Sequence, residues 1–309
     1  LYLNKGVYEA ADRSTGSFTF NATDMDKVIS YANDIIASGQ YSLTPGVEGY
    51  FNTFAEQNDT QSSELIFSVP REQIPNFKAK WMNSLHYNQK PSGWNGFATL
   101  SNFYDSFDAD DIRRGGEYNS ATNPYFTSTG TRAGFLIGQQ YDENGIPLTT
   151  RGGDPLVYTP DVTVAINTEE TGIRVLKYIP DFSDGTDNTE NPSNSYVLLR
   201  LGEVLLNKAE AIYRGGTDAN GQSATDAIDA VRISRGLTAG SLTLTDDTLL
   251  AERGRECYWE GSRRNDLVRF GKFLDAWQEK PASGAEKILF PIPTPALLAN
   301  PDLTQNTGY

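Results

Sequence analysis

Apolar residues recur at helical spacing at both ends of this chain and lose their period between. Residues 1–10 (LYLNKGVYEA) read as the end of a helix and residues 11–22 as a polar loop. Val28, Tyr31, Ala32, Ile35 and Ile36 follow at three-and-four spacing behind Thr23 and Asp26, a cap-like start, and Gly39 closes that helix. Glu64–Val69 (ELIFSV) is a short apolar run suited to a buried strand. Toward the other end, the pattern from Ser195 predicts a helix with Leu198, Leu201, Leu205, Ala209 and Ile212 on one face, stopped at Gly215–Gly216. Ser223 and Asp226 form a capping-box pair ahead of Ala224, Ala227, Ile228 and Val231. Asp246 and Asp247 favour a further helix start through the macrodipole, running to about Gly261, and a short helix covers Asn265–Phe273.

Residues 70–195 are rich in Gly, Pro, Asn, Asp, Thr and aromatics. A short helix is expected around Ala98–Phe107 and short strands at Gly134–Tyr141 and Gly172–Tyr178. An unstructured stretch of this length does not fit a compact domain, so the region reads as loops and small strands laid over a helical scaffold, where binding residues concentrate. LYLNKGVYEA near residue 1 is similar to LLNKAEAIYRG near residue 205, and each is followed by a loop and a second amphipathic helix. Stacked pairs of that kind are the tetratricopeptide pattern. The expected class is therefore mainly α: a tetratricopeptide-like scaffold of helical pairs carrying a loop-rich, irregular insertion with short strands. It divides into a helical segment and strand at 1–69, a loop-rich ligand-binding region at 70–195 and a C-terminal helical region with a tail at 196–309.

Composition narrows the function. The 309 residues contain 26 Lys and Arg against 40 Asp and Glu, a formal charge of −14. So acidic a chain lacks the clustered cations that nucleic acid or anionic lipid demands, and it suits a neutral ligand. One cysteine, Cys257, and one histidine, His86, cannot build a structural zinc site, and Cys257 inside a helical pattern reads as a buried inert thiol. No stretch approaches the ~20 apolar residues of a membrane span. The chain opens directly in helical pattern with no signal-peptide order, which leads to the expectation that an N-terminal part, with any targeting signal or lipid-attachment cysteine, lies upstream.

Three constellations carry possible chemistry. Glu252, Glu256 and Glu260 share a helix face beside Arg253, Arg255, Arg263 and Arg264. A glycosidase needs carboxyls on opposite sides of a cleft, so one helix face points instead to ion pairs that lock helices together. Asp105, Asp108, Asp110 and Asp111 lack the Gly and terminal Glu of a calcium loop and read as an Arg-paired or solvated turn. Third, Trp81, Tyr87, Trp94, Phe97, Phe103 and Tyr104 are interleaved with Asn83, Asn88, Gln89, Asn95 and Asn102, with Arg113 nearby. Flat rings with polar groups at the rim are what a sugar requires: C–H faces stack and amides bond hydroxyls. Trp94, between Gly93 and Asn95 in a turn, is the ring most expected at the surface. The candidate ligand residues are Trp94, Trp81, Tyr87, Asn95, Asn88 and Arg113; no catalytic residue, cofactor or metal is expected.

The ordered motifs YVLLRLGEVLLNKAEAIYRGG, DAIDAVRISRGL, LLAERGRECYWEGSRRNDLVRFGKF and LFPIPTPALLANPDLTQNTGY, with SGQYSL, ELIF and GWNGFATLSNFYDSFDADDIR upstream, resemble the SusD/RagB family of cell-surface nutrient-binding lipoproteins. The resemblance implies a non-catalytic binder that captures an oligosaccharide or polysaccharide at the outer face of an outer membrane. It implies delivery to a SusC-like TonB-dependent transporter, with membrane association only through an N-terminal lipid anchor absent from this chain. The residues alone leave open a glycoside hydrolase on a helical scaffold and a peptide-binding helical-repeat protein.

Overall fold

A computed structural model describes residues 1–70, 80–118, 132–142, 144–165, 167–181 and 192–309. Parts of the loop-rich stretch, 71–79, 119–131, 143, 166 and 182–191, lie outside the described residues. The helices are α1 (Lys5–Tyr8), α2 (Ala22–Ala37), α3 (Gly46–Asn52), α4 (Asn58–Gln61), α5 (Ser101–Tyr104), α6 (Leu201–Tyr213), α7 (Ala224–Ser234), α8 (Asp246–Cys257), α9 (Arg263–Arg269) and α10 (Thr294–Ala299). The strands are β1 (Leu65–Val69), β2 (Gly115–Glu117), β3 (Arg132–Leu136), β4 (Gly138–Gln139), β5 (Val157–Tyr158), β6 (Arg174–Leu176) and β7 (Tyr196–Arg200). The fold is mainly helical with short scattered strands.

α6 is the centre of the scaffold and packs against both α2 and α7. Its buried face, Leu201, Leu205, Leu206 and Ala209, meets Ala227, Ile228 and Val231 of α7 and Leu249 and Leu250 of α8. Ala211 turns the other way to Leu3, Met25 and Ile29. The α7 cap is the reciprocal pair expected from the sequence: the Ser223 hydroxyl accepts from the Asp226 amide while the Asp226 carboxylate accepts from the Ser223 amide. For α2 the cap lies two residues earlier than expected, because the Asn21 side chain accepts from the Thr23 amide.

The largest departure from the sequence pattern is at Tyr196–Arg200. Its apolar spacing predicts the opening of α6. The run is instead strand β7, antiparallel to β1, with Val69 opposite Tyr196 and Leu65 opposite Arg200. A short apolar run fits either state by periodicity, and a distant partner strand decides it here. Strand geometry also delivers Arg200 to a buried ion cluster at the head of α6.

That cluster joins the insertion to the scaffold. Glu256 of α8 bonds Arg113, Arg200 and Arg235 at 3.0, 2.5 and 2.9 Å. Glu64 bonds Arg200 and Arg235, Glu252 bonds Arg113 and Arg232, and Glu260 bonds Arg200 and Lys177. The Lys177 ammonium also donates to the carbonyls of Glu256 and Tyr258 at 2.8 and 3.0 Å. Arg113 and Lys177 belong to the loop-rich region and the carboxylates mostly to α8 and the turn after it. The acidic residues therefore clamp elements together, as their spacing suggested: Glu252 and Glu256 are fully buried on α8, and Glu260, in the turn after the helix, is held by Arg200 and Lys177.

A second core joins the insertion to α3 and the turn after it. Tyr50, Phe51, Phe54, Trp81, Leu156, Tyr158, Leu176 and Ile179 pack together under the three-stranded sheet β2-β3-β6 and the two-stranded sheet β4-β5. Cys257 is buried, and burial pushes its thiol well above the usual range, in keeping with an inert role.

Candidate functional site

The aromatic stretch splits between core and surface. Lys80–Asn83 forms a tight 3-10 turn that directs Trp81 inward, where it is 2 % exposed beside Met82 and Leu85. Trp81 therefore faces no groove, contrary to the expectation that it binds ligand; it is the apolar anchor under the loop. Arg113 is corrected likewise. It is fully buried and bonds Asp111, Glu252 and Glu256 at 2.7, 2.7 and 3.0 Å, leaving its charge satisfied inside the protein. The acidic turn before it is thus Arg-paired through Asp111.

Trp94, by contrast, is 50 % exposed and Phe97 59 %. Their loop is held by consecutive main-chain bonds. Gly93 donates to the His86 carbonyl, Trp94 to Met82, Asn95 to Leu85, and Gly96 and Phe97 both to Asn83, at 2.6–3.1 Å. The Gly93 position is forced, since a Cβ there would lie 2.1 Å from the Leu85 carbonyl oxygen. Asn95 adopts φ 51°, the left-handed region that Asn tolerates better than most residues. The rings are thus presented by a loop whose backbone is pinned at every residue.

Asn95 lines a shallow groove of about 260 Å³ with Phe97, Leu100, Val164, Thr168, Thr171 and Arg174. The Asn95 amide group braces the groove from within. Its Nδ2 donates to the Glu169 carbonyl and its Oδ1 accepts from Arg174 Nε, at 2.8 and 2.9 Å. Arg174 also donates to the carbonyls of Glu169, Thr171 and Gly172, so it ties the far wall to the Trp94 loop.

Tyr87 is 38 % exposed, with the Arg151 guanidinium 4.2 Å above its ring and the edge of His86 against it. Glu169 completes this corner by accepting from the Arg151 amide at 2.9 Å, from its side chain, and from His86 Nε2 at 3.0 Å. These bonds, the Arg151 amide first, hold the Glu169 carboxyl down at about 2. Asn88 donates its main-chain N–H to His86 Nδ1 at 3.1 Å, so Nδ1 must be the unprotonated nitrogen and Nε2–H the donor to Glu169. Burial lowers the His86 pKa despite Glu169, and the neutral ring fits both bonds. The Asn88 side chain is exposed and donates to the Thr149 carbonyl at 2.8 Å.

The structure therefore keeps Tyr87, Asn88 and Trp94 exposed, sets Asn95 in the wall of the groove and removes Trp81 and Arg113 to the interior. It adds Phe97, Arg151, Glu169 and Arg174. Phe97 was visible as one ring among several. The other three sit in a stretch without period or motif, and only the long-range packing assembles them.

Stacked helices clamped by buried charge to an irregular, ring-bearing insertion define a class of protein with a helical scaffold and a loop face. Residues 51–309 match the SusD family, and the chain belongs to that family. It is 27 % identical over 341 residues to starch-binding protein SusD of Bacteroides thetaiotaomicron, covering 100 % of this chain and 58 % of that protein. It is 29 % identical over 175 residues to SusD-like protein P38 of Formosa agariphila, covering 52 % of this chain and 33 % of that one. Among solved structures, its fold is similar to surface glycan-binding protein A from Bacteroides thetaiotaomicron in complex with laminarihexaose. The TM-score is 0.59 at 22 % identity, over 92 % of this chain and 60 % of that one. NanU of B. fragilis gives 0.59 at 18 % identity, over 100 % and 61 %. The chain thus spans less than two thirds of the length of these relatives.

Proposed function

We propose that this protein captures a neutral oligosaccharide or polysaccharide without chemically altering it, through the face that carries Trp94. The single observation behind this reading is a half-exposed indole on a loop pinned by main-chain bonds at each residue, beside a groove of apolar and amide side chains. Such a ring needs no reorganisation to stack on a sugar, and preorganisation is what lets a small contact bind. The names of the relatives, starch-binding and surface glycan-binding, support the same ligand class. The hydrolase alternative loses its best carboxylates, because Glu252, Glu256 and Glu260 are held by buried cations.

We further propose a setting at the cell surface, on the outer face of an outer membrane, with lipid anchoring and hand-over to a SusC-like TonB-dependent transporter; the surface part is supported by the name of the glycan-binding relative. Co-purification of an outer-membrane barrel with the tagged full-length protein tests that partnership. Isothermal titration against neutral polysaccharides tests the ligand. Trp94→Ala is expected to lower affinity about tenfold or more while leaving the melting temperature in place. Binding to peptides and to no sugar, or unchanged affinity in the folded variant, would overturn the reading.

A further inference from the structure

A second groove lies beside the first. It holds about 580 Å³ between α5 and the C-terminal helices, and Ala98 and Leu100 line both grooves. The two are separated by a tight hairpin, Trp277–Lys280, whose end residues exchange main-chain bonds at 3.0 and 2.9 Å. Glu279, at φ 62° in its bend, lines the first groove and accepts from the Val164 amide, while Trp277 lines the second. Gln278 fastens the hairpin to α5, accepting from the Asn102 amide at 3.0 Å and donating to Ser101 Oγ at 3.1 Å.

Trp277 is 40 % exposed. The Lys280 ammonium lies 4.1 Å from the ring on one side and is itself fixed by the carbonyls of Asp275 and Pro281. The floor of the groove is apolar, with Leu250, Leu267 and Phe103. Its rim is polar, with Asn102 and Asp275, and Asp247 paired to Lys272 at 3.2 Å. A fixed ring over an apolar floor, edged by amide and carboxylate groups, matches an uncharged polyhydroxylated ligand. An anionic ligand would have to compete for cations already engaged: Lys272 by Asp247, Lys280 by two carbonyls and Arg263 by the Leu250 carbonyl.

We propose that the Trp277 groove is a second saccharide subsite, and that one polysaccharide chain runs from the Trp94–Phe97 loop across Ala98 and Leu100 to Trp277. This rests on the glycan reading of the first face and adds that the grip is on a polymer. Two weak contacts on one chain reinforce each other through effective concentration, so the second subsite matters for long ligands and hardly for short ones.

The test uses the full chain with laminaritriose against laminarin and maltotriose against amylopectin. Trp277→Ala is expected to weaken polymer binding about tenfold or more and trisaccharide binding much less, with Trp277→Phe restoring most of the loss. In the unaltered protein, the polymer is expected to shift the Trp277 indole N–H resonance as well as that of Trp94, which frees the test from any folding defect in the variants. A polymer that binds and shifts Trp94 alone, with Trp277→Ala unaffected, overturns the second subsite and leaves the first standing. A protein that binds none of these four sugars and no other neutral polysaccharide overturns the glycan reading, and the second subsite with it.

Discussion

Gly202 occupies the first turn of α6, a position where glycine ordinarily weakens a helix. Here the missing side chain is the point. A Cβ on Gly202 would come within 2.5 Å of Arg200 Nη1, 2.7 Å of Glu256 Oε1 and 2.9 Å of Glu64 Oε1. The glycine lets the helix approach the buried ion cluster closely enough for its carboxylates to meet Arg200. Gly202→Ala should gain helix propensity and still lose stability, by about 2–4 kcal/mol, because overpacking adds to disturbed buried pairs. Urea denaturation reads the difference directly. A variant as stable as the parent would mean that the cluster yields around a methyl group, against the tight geometry of Arg200.

Elements show which parts of this molecule a sequence can announce. The α7 cap was legible because Ser223 and Asp226 meet within one turn. Strand β1 and the exposure of Trp94 were legible because an apolar run and a Gly-Trp-Asn turn are local signals, but β1 is half-buried with Phe67 exposed, not the buried strand its apolar run suggested. Strand β7 was not, since Tyr196–Arg200 takes its state from a partner more than a hundred residues away. The same distance hid the inward turn of Trp81, the burial of Arg113 and the Glu169 corner, all of which depend on what the fold places opposite. That corner ties the loop after His86 to the segment around Arg151, and its titration has one sign. Glu169 is held at about 2, so its contribution is complete above the ordinary carboxylate value near 4.5 and is lost as pH falls toward 2. His86 is kept neutral by burial, so below its ordinary value near 6.5 the unfolded chain takes up a proton that the folded ring resists. Both effects weaken the corner in acid. The urea midpoint should therefore fall between pH 7 and pH 5, and His86→Asn should flatten that fall. An equal drop in parent and variant would place the acid sensitivity elsewhere.

At the scale of the whole molecule, the loop face has little regular structure among the described residues, and buried ion pairs join it to the scaffold. The joint is α8 and the turn after it. Glu256 reaches Arg113 from the insertion, Arg200 at the head of α6 and Arg235 at the end of α7, and its carbonyl receives Lys177 and the Tyr50 hydroxyl. These cations hold the Glu256 carboxyl well below its usual range, with Arg235 and Arg200 the strongest. Replacing it by the neutral isostere Gln removes the one carboxylate that Arg113, Arg200 and Arg235 share, and leaves Arg235 with Glu64 alone, which it shares with Arg200. Breaking a buried pair in this way costs about 3–5 kcal/mol, a large share of the roughly 5–15 kcal/mol that holds a domain folded. Because the hub is shared, the loss should fall on both parts together. In the parent, amides of β3 and β6 in the insertion should exchange with the same opening free energy as those of α6, and Glu256→Gln should lower both by a similar amount. If the insertion strands opened well before α6 in the parent, the ring-bearing loops would be docked on the helices rather than clamped to them. Preorganised stacking by Trp94 would then lose its structural basis.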